Sequence, residues 1–336
     1  MTAWARWPAG TPSWTRTSTW SASGTSSLPP ESITVAGSFG TPPLAERAPR
    51  QRALASNHVT GWLLALPLTL VLLAFLVLPI LMIVVVSFWT ATEFSIVPAF
   101  SFENYEFLLG SDVTWRVLLN TVKYAAVTWA ITLVLGFTVA YFLAFHVRSQ
   151  TWQTTLFLLC TIPFWTSNII RMISWIPFLG REGIANSALL SWGVVDQPLD
   201  WLLFSDFSVI LAFVHLYTLF MVVPIFNTMM RIDRSLLEAA NDAGASGFQT
   251  LWNVVLPLTR PGIMIGTIFV VTLVMGDFIT VRFMSGSQSA NVGRLIQNDI
   301  GLLQYPSASA TSVMLLVVTL MVIGVLLRLV NIRKEL

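Results

Sequence analysis

The chain has 336 residues, of which 55% are hydrophobic and only 10% charged, with a formal net charge of +2. Soluble domains carry about 25% charged residues, so this composition cannot solvate a globular surface of this size and points to a membrane protein. One cysteine, Cys160, excludes an intramolecular disulfide, and three distant histidines (His58, His146 and His215) offer no metal-ligand spacing.

Residues 1–57 differ from everything after them. The run from Thr11 to Glu31 is rich in Ser, Thr and Pro without apolar periodicity, which predicts a disordered tail. No apolar core long enough for a signal peptide precedes residue 60. Six apolar stretches follow, at about 60–88, 117–145, 152–179, 202–228, 262–284 and 308–330, each near the ~20 residues that cross a bilayer. Pro67, Pro79, Pro163, Pro177 and Pro224 fall within them, so kinks or re-entrant ends are expected. The predicted fold is an all-α membrane protein with six transmembrane helices over 58–336.

Charge sets the orientation. Arg148, Arg231, Arg234, Arg260, Arg328, Arg333 and Lys334, with the Arg residues of the tail, gather on one side of the spans. The other side holds Glu93, Glu103, Glu106, Asp112, Glu182, Asp196, Asp200, Asp206 and Asp299, with fewer bases. The positive-inside rule then puts both termini and the 229–261 loop in the cytoplasm. The outer loops 90–116, 180–201 and 285–307 form an acidic rim. It attracts a cationic solute or a basic partner surface, or it reflects only the scarcity of Lys and Arg that translocation favours.

Ionisable groups at membrane depth are costly and are functional candidates by default. Asp277, in Gly276-Asp277-Phe278-Ile279-Thr280, is placed to receive a cation. Arg171 lies in the third span, where spacing puts Trp165, Asn168 and Arg171 near one face and Trp175 a heptad beyond Asn168. Tryptophan stacks on ammonium groups, so an Asp with aromatic neighbours suits a polyamine. The structural alternatives are that Arg171 bridges to Asp277 or Asp206 and that the tryptophans anchor the interface. His215 reads as a hydrogen-bonded packing residue, Cys160 as a buried core thiol, and Lys123 and Arg116 as side chains that snorkel outward.

Between the fourth and fifth spans lies a polar island, residues 231–257. Ser235 with Glu238, and Ser246 with Gln249, have the spacing of two capping boxes. Gly244 falls where the first helix needs a left-handed end. Pro257 and Pro261 are expected to stop the second helix before the next span. Ala239 and Ala240 let a partner approach the backbone closely.

Glu238-Ala239-Ala240, Gly244, then Val254-x-Leu256-Pro257 resembles the EAA loop of ABC importer permease subunits, with Val254 in place of a more usual Ile. In that family the loop forms cytoplasmic coupling helices that dock into a groove on the ATPase. The resemblance extends over residues 60 to the end. Phe102-Glu-Asn104-Tyr105, Leu119-Asn120-Thr121, Trp165-Thr-Ser-Asn-Ile-Ile-Arg171, Trp175-Ile-Pro, Gly180-Arg-Glu-Gly183, Asn186-Ser and Gly276-Asp277-Phe278 with Thr280 look like the permeases of spermidine/putrescine importers. Val281, where the family often has Pro, and the long tail are departures from it.

The resemblance implies the six-helix (MetI-like) permease fold, a second permease subunit, a cytoplasmic ABC ATPase dimer and a periplasmic or lipid-anchored substrate-binding protein, all around a lipid bilayer of the bacterial inner membrane. It implies neither a nucleic acid nor a cofactor. Glu238, Ala239, Ala240, Gly244, Leu256 and Pro257, with Ser235, would couple to the ATPase. Trp165, Asn168, Arg171, Trp175, Asp277 and Thr280 are candidates for the path. The chain contains no Gly-x-x-x-x-Gly-Lys-Ser/Thr, so ATP hydrolysis falls to the partner, and no nucleophile with its base is evident. A permease for an anion, a metal complex or another solute shares much of this pattern. An ion-coupled secondary transporter would need two half repeats, which are not evident. A membrane protein without transport would leave Asp277 and the loop unexplained.

Overall fold

The computed structural model describes residues 66–92 and 95–329, apart from the side chains of Leu326 and Leu329. The tail expected over 1–57, and Arg333 and Lys334, lie outside them. The described chain is helical, with one addition to the expected all-α fold: the loop after the first helix carries a minimal antiparallel hairpin, β1 (Thr90–Ala91) and β2 (Ile96–Val97).

Five helices are long and apolar enough to cross a membrane. They are α1 (Leu66–Val86), α3 (Asp112–His146), α7 (Asp206–Met229), α9 (Gly247–Gly276) and α12 (Tyr305–Leu329). Short helices join them: α2 (Glu103–Gly110), α8 (Arg234–Asp242), α10 (Phe278–Met284) and α11 (Val292–Gly301). The third predicted span is not one rod. A segment comprising α4 (Gln150–Thr161) and a tight turn through Trp165 meets a segment that begins with α5 (Asn168–Leu179) and ends with α6 (Ile184–Ser191), at 88°. Thr166 and Ser167 are extended between them. Counted as one, the bent pair completes the six expected spans.

The core forms around α7, which is apolar on every side, the mark of a helix surrounded by others. Val209, Phe213, Met221, Ile225 and Met229 are fully buried there, between α3 and α9. The α7–α9 crossing is close because Gly262 presents no side chain: a Cβ there would lie 2.5 Å from the Pro224 carbonyl and 2.4 Å from the Thr228 hydroxyl. Small residues at such contacts are how membrane helices gain packing energy where lipid is as apolar as the helix. At the other extreme, the membrane-crossing stretch of α1 buries nothing.

Prolines at 257 and 261 do not end a helix as expected. α9 runs through both, because a wide turn at Leu251–Val255 rearranges the backbone bonds just before Pro257. At the first turn of α7, Asp206 gathers Lys123 Nζ at 2.6 Å, the Tyr124 hydroxyl and the Ser289 hydroxyl at 2.6 Å. Lys123 therefore does not snorkel outward alone; it ties α3 to α7.

Candidate functional site

The polar island folds as two helices, α8 and the start of α9. Gly244 has φ +81°, the left-handed end expected of it, and the Ala245 amide bonds back to the Ala240 carbonyl at 3.0 Å. The second capping box is present as read: Ser246 Oγ accepts from the Gln249 amide, and Gln249 Oε1 accepts from the Ser246 amide at 2.8 Å. The first is not. Asp233 is the N-cap of α8, and its carboxylate accepts from the Ser235 amide at 3.0 Å. Ser235 sits inside the first turn and Glu238 in mid-helix, so neither caps the other. Asp233 takes the role because Ile232, just before it, is packed against the core and fixes where the helix starts. That bond holds the exposed Asp233 carboxyl below its ordinary range.

The exposed face of α8 carries Ser235, Leu236, Glu238 and Ala239, while Leu237 leans on the core. Ala240 is half-buried, as are Leu256 and Pro257 behind it. Beside this helix, a cleft of about 720 Å³ is lined by Pro224, Asn227, Arg231, Asp233, Leu236 and Phe269. The result is a short, amphipathic, solvent-facing helix held at both ends, a rigid handle on the end of the buried α7.

The second region lies at membrane depth. Tyr217 is eleven residues into α7, about 17 Å from its N-terminal end at 1.5 Å per residue. Its hydroxyl donates to Asp277 Oδ2 at 2.7 Å. Asp277 separates α9 from α10, in extended conformation, and caps α10: Oδ1 accepts from the Thr280 amide at 3.0 Å and Oδ2 from the Thr280 hydroxyl. Buried Asn291 donates to the Asp277 carbonyl at 2.8 Å and caps α11 through the Arg294 amide. A cavity of about 360 Å³ opens on this break, lined by Asn168, Met172, Tyr217, Gly276, Asp277 and Phe278.

The candidates from the third span divide. Asn168, at the start of α5, faces the Asp277 cavity. Arg171 pairs with neither Asp277 nor Asp206. Its Nη2 donates to Asn168 Oδ1 at 2.5 Å and weakly to the Thr166 carbonyl at 3.5 Å. Tyr217 and Lys123 hold the two carboxylates instead. Trp165 does not share a face with Asn168 and Arg171: it precedes the break and is 86% exposed. Trp175 donates its indole N–H to His215 Nδ1 at 3.0 Å, so His215 is hydrogen-bonded as expected, but it is exposed on a cavity wall and not packed inside. Cys160 is half-buried on a cavity wall, not sunk in the core.

Tyr217 and Asn291 were missed. An isolated phenol in an apolar helix and an asparagine before a short amphipathic segment are faint signals, and their bonds to Asp277 span 60 and 14 residues of chain. Among the described residues no three His, Cys, Asp or Glu side chains converge as a metal site would require.

Stacked apolar helices around α7, with breaks at Thr166–Ser167 and at Asp277, define a multi-span helical membrane protein. The chain belongs to the family of binding-protein-dependent transport system inner membrane components, whose model matches residues 133–332. It is a multi-pass inner-membrane permease of the ABC importer type, and this family is not one of enzymes. It is 35% identical over 262 residues to the spermidine/putrescine transport system permease protein PotB of Escherichia coli (strain K12), covering 77% of this chain and 90% of that one. PotB of Haemophilus influenzae is 32% identical over 261 residues, covering 76% and 89%. A chain of a bacterial alginate ABC transporter, solved in complex with an alginate-bound periplasmic protein, has the same fold. Its TM-score is 0.68 at 17% identity, covering 85% of this chain and 98% of that one.

Proposed function

We propose that this permease moves polyamines of the spermidine and putrescine class across the inner membrane, driven by ATP that a partner hydrolyses. The observation that carries the reading is the Asp277 carboxylate on the wall of a mid-membrane cavity, flanked by the Tyr217 and Phe278 rings. A carboxylate with aromatic faces attracts a protonated amine. The identity to PotB proteins over most of the chain supports the same solute class.

The mechanism is alternating access. Both termini and the 229–261 loop face the cytoplasm. The helix α8 docks on an ATPase dimer through Glu238, Ala239 and Ala240, with Gly244 ending the helix where the groove closes over it. Leu256 and Pro257 pass the motion of the handle to α9. Closure of the ATPases shifts α8 as a rigid body and, through the α7–α9 crossing, changes which side the cavity faces. A second permease subunit completes the path, and an outer substrate-binding protein delivers the solute. Asn168, Arg171, Trp175 and Thr280 line or position this path, and exposed Trp165 lies at its edge.

The test is ATP-dependent uptake of labelled spermidine and putrescine into proteoliposomes holding the reconstituted complex, with Asp277→Asn beside wild type. Asparagine is as good an N-cap as aspartate, so the variant keeps the cap on α10 while it removes the charge and replaces the oxygen that accepts from the Tyr217 and Thr280 hydroxyls by an amide group. Uptake should need ATP and the binding protein and fall by about tenfold or more in the variant. Unchanged uptake in the variant would leave Asp277 a cap alone. Uptake of a different solute would discard the polyamine.

A further inference from the structure

Among the described residues, none supplies a counter-charge to Arg171 in the third span. Among the described residues the ion pairs are Lys123 with Asp206 and Arg181 with Asp200, both towards the outer side. Arg171 Nη2 is held by an amide and a carbonyl, and its Nε is buried with no hydrogen-bond partner. A guanidinium carries five donors in a fixed fork and matches a carboxylate in two-point contact.

The surroundings repeat the demand. Arg171 and His215 line one cavity of about 180 Å³, with Cys160, Pro163, Phe164 and Thr218. His215 Nδ1 accepts from Trp175, so a neutral His215 carries its proton on Nε2 as a further donor. Phe164 on the rim is 56% exposed, so the cavity reaches the subunit surface. Depth decides what fills it. His215 is nine residues into α7, about 14 Å below its outer end. A lipid phosphate sits at the edge of a ~30 Å hydrocarbon layer and does not reach there. An uncompensated cation at that depth is also costly, and it would repel a polyamine travelling in the same layer.

We infer that the Arg171–His215 cavity receives a carboxylate side chain from a membrane-spanning helix of the second permease subunit. The pair aligns the two subunits and neutralises the path beside Asp277. The inference rests on the permease reading only in requiring that second subunit, and the first readout below does not depend on the solute.

Cys160 lines the same cavity and is the native probe. Each membrane-embedded Asp or Glu of the partner permease is replaced singly by Cys in the assembled complex, which is then oxidised. One such position should form a disulfide with Cys160, and the band should vanish in Cys160→Ala. Arg171→Glu should reduce assembled complex by on the order of a hundredfold, because it buries two like charges. Placing Arg at the identified partner position should restore assembly in that background alone. Cross-linking only from neutral neighbouring positions, or Arg171→Glu assembling like wild type, would overturn the inference. So would rescue of Arg171→Glu by lipid composition in place of the swapped pair. Absence of polyamine uptake by the wild-type complex, with the cross-link still formed in the Cys variant, would count against the solute and leave the pairing standing.

Discussion

Gly244 offers a way to separate the shape of the coupling helix from its docking. Its φ of +81° is one that L residues avoid at about 1–2 kcal/mol, yet an added Cβ would meet nothing within 4 Å. Three backbone bonds close the helix there: the Ala243 amide to the Ala239 carbonyl, Gly244 to Asn241 and Ala245 to Ala240, at 2.9–3.0 Å. Asparagine enters the left-handed region readily; a β-branched residue does not. Gly244→Asn should therefore keep the turn, and Gly244→Val should open it with an ordered-loop population about tenfold lower. Gly244→Asp keeps the turn at a dipole penalty of about 0.5 kcal/mol, since a negative charge at a helix C-terminus is disfavoured. On the proposed docking it also places a charge where the ATPase groove would close. The assay is ATP-dependent uptake and stimulated ATPase activity, normalised to subunit in the membrane. The expected order is wild type, then Asn close to it, then Val, with Asp abolished though present at wild-type level. If Val works as well as wild type, the left-handed turn is irrelevant to coupling. If Asp works as well as Asn, nothing docks closely at this point.

The other predictions concern stability and capping. Gly262→Ala drives a methyl into the Pro224 carbonyl and should cost about 2 kcal/mol, lowering the melting temperature of the purified complex by roughly 5 °C. Gly324→Ala in α12, with open space around it, should leave that temperature unchanged or slightly raised, so equal shifts in the two variants would contradict the close crossing. Asp233→Ala should fray α8, read as faster amide exchange at Ser235 and Leu236, while Ser235→Ala should not; the reverse order would restore Ser235 as the cap. Because the folded Asp233 carboxyl titrates below its ordinary range, its contribution is present above about pH 4 and fades as pH falls through the lower folded value. Exchange at those amides, corrected for the intrinsic rate, should be flat between pH 8 and about pH 5.

The loop was legible where its signals were local. A positive φ needs glycine, and a Ser-x-x-Gln box closes within one turn, so Gly244 and Ser246–Gln249 fold as read. Ser235 misled because Asp233, two residues earlier, is an equally good cap, and only the packing of Ile232 chose between them. The third span misled because prolines and short polar runs are tolerated in membrane helices, so an apolar run of the right length does not report a bend of 88°. Pro257 and Pro261 misled in the opposite direction, since a wide turn absorbs what would stop an ordinary helix.

Composition, apolar run length and the EAA pattern determined that this chain is a helical membrane permease, because each is a property of residues close together in sequence. Charge partners were decided only in three dimensions. Tyr217 reaches Asp277 across 60 residues and Lys123 reaches Asp206 across 83. In a low-dielectric interior each charge takes the nearest donor that packing brings to it, and sequence spacing along one helix does not specify which one arrives. That is why Asp277, which caps α10 and accepts three bonds, lines a cavity wall, while Arg171, on the other broken span, is held by an amide and a carbonyl and by no carboxylate among the described residues.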